Sequence, residues 1–111
     1  MCIRDSSIKE LLAIDYVSPQ PFGTNTTIGV VATNATLSKV QTNQLAAVAH
    51  NGVALAVRPA HTPYDGDTIF GLATGNIKGE PDMTRIGAAV VKCVGDAIIS
   101  GVAKAVGYHN R

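Results

Sequence analysis

The stretch from residue 25 to 34 constrains the fold of this chain most. Asn25, Thr26 and Thr27 lead into the β-branched apolar residues Ile28, Val30 and Val31, with Gly23 and Asn25 before the run and Asn34 after it. That length and composition predict a central, buried strand. Side chains alternate along a strand, so Thr26 and Thr27 must point to opposite faces, and only one of them can share a site with a neighbouring strand. Two readings are open for the pair: threonines that pack because strands favour them, or a nucleophile at the head of a buried strand.

Downstream, Ser38 and Gln41 stand at the spacing of a capping box, in which each side chain satisfies a free backbone N–H of the other residue. A helix over residues 38–57 follows, with Leu45, Val48, Gly52 and Leu55 on one face and Pro59 ending it. His50 and Asn51 lie on this helix without a metal-ligand partner and read as a surface polar pair. A second apolar run predicts a buried strand over residues 68–73. Asp82, behind Pro81, is a plausible N-cap for a helix over residues 83–106, whose face would be Ile86, Val90, Cys93, Ala97 and Gly101. Strand, helix, strand, helix is the order of a layered α/β domain, and on the sequence alone a doubly wound parallel sheet is an alternative. The run Gly71, Leu72, Ala73, Thr74, Gly75 lacks the Lys and the pattern of a phosphate loop.

Asp65 and Asp67 flank Gly66 at the start of the second strand, where residues two apart face the same way, so both carboxylates can address one spot. Three readings compete: a solvated Asp-Gly turn, a pair that holds an ammonium group, and a metal site completed by His61. Extended backbone after Pro63 turns His61 away from the pair and argues against the last. Cys93 lies on an apolar helix face with nothing to lower its pKa and reads as a core residue, and His109 as a solvent-exposed tail residue.

The remaining composition excludes more than it selects. With 111 residues, 46% of them hydrophobic, and a net charge of +1, the chain is one globular domain at most. It has no charge block that would steer it to nucleic acid or a membrane surface, and no apolar run is seen that reaches the ~18 residues a membrane helix needs. Cys2 and Cys93 have neither metal spacing nor a disulfide pattern, so a reducing cytoplasm is the default. Residues 1–6 resemble a translated sequencing-adapter remnant and are set aside from fold reasoning. Residues 7–12 suggest a short helical turn, and Ser18, Pro19, Pro21 and Gly23 mark a linker.

The order and spacing of three segments are more specific: residues 24–35, then Arg58, Pro59, Ala60, His61, Thr62 and Pro63, then Asp65, Gly66, Asp67, Thr68, Ile69 and Phe70. From about Pro21 to at least Gly75 the chain resembles the L-aminopeptidase/D-esterase family, which includes β-peptidyl aminopeptidases and nylon-oligomer hydrolases. The resemblance implies a self-processing N-terminal-nucleophile hydrolase with a four-layer αββα sandwich. Residues 25–111 would be its β-chain portion, residues 1–24 a remnant and linker, and a longer α-chain would precede them. It implies cleavage between Asn25 and Thr26, with Thr26 as nucleophile and Asp65 and Asp67 as the acidic orienting pair. Substrates would be amides, esters or small peptides with a free amino end, cleaved without metal or cofactor, and the partners would be the upstream α-chain and further copies in a homo-oligomer. A non-catalytic family subunit and a small-ligand-binding α/β module are the alternatives.

Overall fold

The β-branched run beyond Thr27 forms strand β1 (Ile28–Ala35), and the next such run forms β2 (Thr68–Ile77), in a computed structural model that describes residues 26–109, with side chains to residue 107. The expectations for residues 1–25, the short helical turn, the linker and Asn25 included, lie outside the described residues, as does the side chain of His109. Helix α1 (Lys39–Ala56) joins the two strands, and α2 (Met83–His109) follows the second. A helical crossover of this length lets the second strand run parallel to the first. The pairing is parallel, from Ile28 opposite Thr68 to Thr33 opposite Ala73, then shifts so that Ala35 faces Ile77. Gly75 absorbs the irregularity at φ 72°, a left-handed conformation that glycine adopts without a Cβ clash, and Thr36 Oγ1 donates to Ile77 O at 2.8 Å beside it.

Both helices begin where local chemistry directs them. Ser38 Oγ accepts from Gln41 N at 3.2 Å and Gln41 Oε1 accepts from Ser38 N at 2.9 Å, completing the capping box. Asp82 Oδ1 accepts from Arg85 N at 3.1 Å at the head of α2. The core is Val31, Leu45 and Ala49, with Leu37, Ile69, Ile86, Val90 and Val94 packed around it, so both helices serve one face of the sheet. Glycine permits the close approach of these layers. A Cβ on Gly71 would lie 2.7 Å from Thr42 O, and one on Gly52 would lie 2.6 Å from Val91 O.

Several faces differ from the expected ones. The buried residues of α1 are Leu45, Ala49, Gly52, Val53 and Ala56, while Leu55 turns outward at 64% exposure. In this Ala-rich helix the small residues mark the contact, because they admit the neighbouring backbone. Helix α2 is rotated in the same sense: Gly87, Val91, Val94 and Gly95 turn toward α1, and Cys93, Ala97 and Gly101 are exposed. Cys93 is therefore not a core residue; it lines an open groove between α2 and β1 with Val31, Ile86, Val90 and Ala97. Nor are the strands buried on both faces. Ile28, Val30, Phe70 and Leu72 project from the face opposite the helices at 54–70% exposure. By length and composition alone, helix α2 is also long and apolar enough to cross a membrane, contrary to the sequence expectation. Its apolar circumference is wide because one stripe packs on α1 and a second lines the groove.

Candidate active site

Parallel pairing sets the ends of β1 and β2 side by side, so whatever precedes Ile28 lies beside whatever precedes Thr68. The bond that opens the ladder runs from Thr68 N to Thr27 O at 2.9 Å. One residue earlier the partners change from backbone to side chain: Thr27 N donates to Asp67 Oδ1 at 3.0 Å. That amide belongs to the peptide linking Thr26 to Thr27, so the carboxylate sits one peptide unit from Thr26. Thr26 is exposed and Thr27 half-buried, the alternation expected of neighbours on a strand.

Asp67 is nearly enclosed, its side chain 7% exposed, and its second oxygen is occupied as well: Oδ2 lies 2.8 Å from His61 Nδ1. An ionised carboxylate only accepts, so Nδ1 carries the proton in this pair. The sequence turns His61 away from the carboxylates, and the structure does the opposite. Its backbone adopts φ 56°, a left-handed conformation, which reverses the chain ahead of Thr62 and returns the ring to Asp67. Against the other side of that ring lies His50, centroids 4.8 Å apart at 63°. His50 is half-buried and its Nδ1 is buried without a hydrogen-bond partner, so it is not half of a surface pair.

Asp65 takes a different part. Its Oδ2 accepts from Thr62 N at 2.8 Å and from Thr62 Oγ1 at 2.7 Å, while its own amide donates to Thr62 O at 3.0 Å. These three bonds close the turn that carries His61 and Asp67 toward β1. The two carboxylates thus share a loop but contact different partners. Among the described residues no three His, Cys, Asp or Glu side chains converge as metal ligands. The family resemblance implies one site of Thr26, Asp65 and Asp67; the structure sets the Asp67 carboxylate one peptide unit from Thr26 and Asp65 against Thr62, and the sequence reading missed His61 and His50. The signal for His61 is conformational: its ring meets Asp67 from a left-handed backbone that nothing in the neighbouring sequence requires, and His50 meets that ring from α1.

The chain matches the model of Peptidase family S58 over residues 2–111 and belongs to that family. It is 43% identical over 94 residues to an "Uncharacterized aminopeptidase" of Mycobacterium tuberculosis, covering 73% of this chain and 27% of that protein. An "Uncharacterized aminopeptidase" of Mycobacterium leprae is 43% identical over 113 residues, covering 90% of this chain and 31% of that protein. A "6-aminohexanoate-oligomer endohydrolase" of Paenarthrobacter ureafaciens is 31% identical over 96 residues, 77% of this chain and 27% of its own length. These relatives support the resemblance to aminopeptidases and nylon-oligomer hydrolases. The chain spans under a third of the length of each.

Proposed function

We propose that this chain carries the nucleophile-bearing part of a self-processing hydrolase, in which Thr26 becomes an N-terminal nucleophile and Asp67 holds its α-amine. The observation that carries the reading is the hydrogen bond from the Thr27 amide to Asp67, a nearly buried carboxylate one peptide unit from Thr26. In the first stage the Thr26 hydroxyl attacks the Asn25 carbonyl, the Asn25–Thr26 amide becomes an ester, and water hydrolyses it. Asn25 is left with a free carboxylate and Thr26 with a free α-amine.

In the second stage that amine, with an ordinary pKa of about 7.7–8.0, accepts the proton of the Thr26 hydroxyl as the oxygen attacks a substrate carbonyl. The substrate's amine or alcohol leaves with a proton, and water releases the acyl group to regenerate the hydroxyl. Asp67 faces the ammonium form of the amine and keeps the hydroxyl in reach. Asp65 acts through the turn it closes with Thr62. The oxyanion donors and most of the acyl pocket belong to parts of the whole protein outside residues 26–109. The same parts would cover the bare face of Ile28, Val30, Phe70 and Leu72, giving the four-layer sandwich that the family resemblance implies. Substrates are amides, esters or short oligomers with a free amino end, in keeping with the aminopeptidase and oligomer-hydrolase names of the relatives.

Turnover of amino-acid amides by the whole protein tests this reading. Wild type should release ammonia with no added metal and with chelator present, and Thr26→Ala should reduce kcat by a factor on the order of 1,000 or more, since the covalent step is lost. Undiminished turnover by Thr26→Ala would contradict it. A non-catalytic subunit would show no turnover in either protein.

A further inference from the structure

Asp67 has an unusual anchorage for a carboxylate that must receive an amine. Its Oδ1 is fixed by the Thr27 amide at 3.0 Å and its Oδ2 by His61 at 2.8 Å, so the carboxylate cannot rotate without breaking one of the two bonds. A terminal carboxylate torsion is otherwise broad and loosely held. His61 reaches Asp67 at φ 56°, a left-handed conformation tolerated best by Gly, Asn, Asp and His. The ring is backed edge-on by His50 from the last turns of α1, at 4.8 Å. A helix, a left-handed loop residue and a strand-head carboxylate are thereby joined in one line that ends at the Thr27 amide. Each Asp67 oxygen has two acceptor sites, so Oδ1 can keep the Thr27 amide and still take a proton from an amine on residue 26.

We propose that His61 is a positioning residue: it donates from Nδ1 to Asp67 and, braced by His50, locks the carboxylate in the orientation that holds the Thr27 amide and receives the Thr26 amine. The proposal rests on the assignment of Thr26 as nucleophile. His61 touches no substrate in this account. It acts through Asp67, and the contact needs a proton on Nδ1.

Two substitutions separate the donor from the backbone. His61→Asn keeps both a tolerance for positive φ and an N–H donor at about the place of Nδ1, whereas His61→Gly keeps the backbone freedom and removes the donor. In the whole protein, His61→Gly should lower kcat roughly 10- to 100-fold with KM within about twofold, the loss that follows from a catalytic group displaced by about an ångström. His61→Asn should recover most of it. A second readout does not depend on turnover: hydrogen exchange of the Thr27 amide should quicken at least about tenfold in His61→Gly and stay near wild type in His61→Asn. Equal kcat in all three proteins, equal impairment of Gly and Asn variants, or unchanged Thr27 exchange would overturn the proposal. If wild type neither cleaves nor turns over while Thr27 exchange responds as stated, the nucleophile assignment fails, the catalytic positioning role falls with it, and only the hold of His61 on the carboxylate that anchors the Thr27 amide stands.

Discussion

Asp67 is nearly buried yet bonded at both oxygens, so Asp67→Asn separates its charge from its shape. The asparagine side chain would keep an acceptor for the Thr27 amide and, with the His61 proton moved to Nε2, a donor facing Nδ1. Thermal stability should change little. The charge that balances an ammonium would be gone, and a charge-assisted hydrogen bond contributes roughly 1.5–3 kcal/mol, so kcat should fall on the order of 10- to 100-fold. Paired measurements of melting temperature and kcat check this, and equal losses in both would make the residue structural. Asp65 differs: its carboxylate accepts two bonds from Thr62 that hold the loop, so Asp65→Ala should lower stability by about 1–3 kcal/mol as well as activity. At this scale the sequence was half legible. The apolar runs located both strands and the family resemblance joined Thr26 to the carboxylates, but parity alone sent both carboxylates to one spot, and the hydrogen bonds of a turn divided them. His61 depended on a backbone conformation that no neighbouring residue signals.

The elements themselves were readable because their punctuation is chemical. Ser38 with Gln41, Asp82 after Pro81, and the β-branched runs starting at Ile28 and Thr68 each state a local preference that the structure satisfies. Helix faces were less readable, since they are set by what a helix meets. Of the expected face, Leu45 and Gly52 are buried, but Leu55 points to solvent and Ala49, Val53 and Ala56 complete the contact instead. The glycines give a direct test. Gly52→Ala would drive a methyl to 2.6 Å from the Val91 carbonyl and 2.8 Å from Val94 Cβ, forcing α1 and α2 apart. It should cost about 1–3 kcal/mol by thermal or denaturant unfolding. Gly101→Ala meets no atom within 4 Å in α2 and should instead be neutral or stabilise by about 0.5–1 kcal/mol through helix propensity. If both variants behaved alike, the close packing of α1 on α2 would be wrong.

At the scale of the whole molecule, one sheet face is covered by helices and the other presents Ile28, Val30, Phe70 and Leu72 to solvent. Apolar groups on that scale are costly to leave in water, at about 25 cal/mol per Å². The run from Ile28 to Val31 reads as a strand enclosed on both sides, whereas among the described residues only one side is covered; the relatives it matches are more than three times as long as the matched segment. The central claim, that Thr26 is made into an N-terminal nucleophile, is tested most directly by intact-mass spectrometry of the whole protein expressed as wild type, Thr26→Ala and Thr27→Ala. Wild type should appear as two chains, the second beginning at Thr26, while Thr26→Ala stays as one and Thr27→Ala is still cut. An uncut wild type, or a Thr26→Ala protein cut at the same bond, would contradict the account.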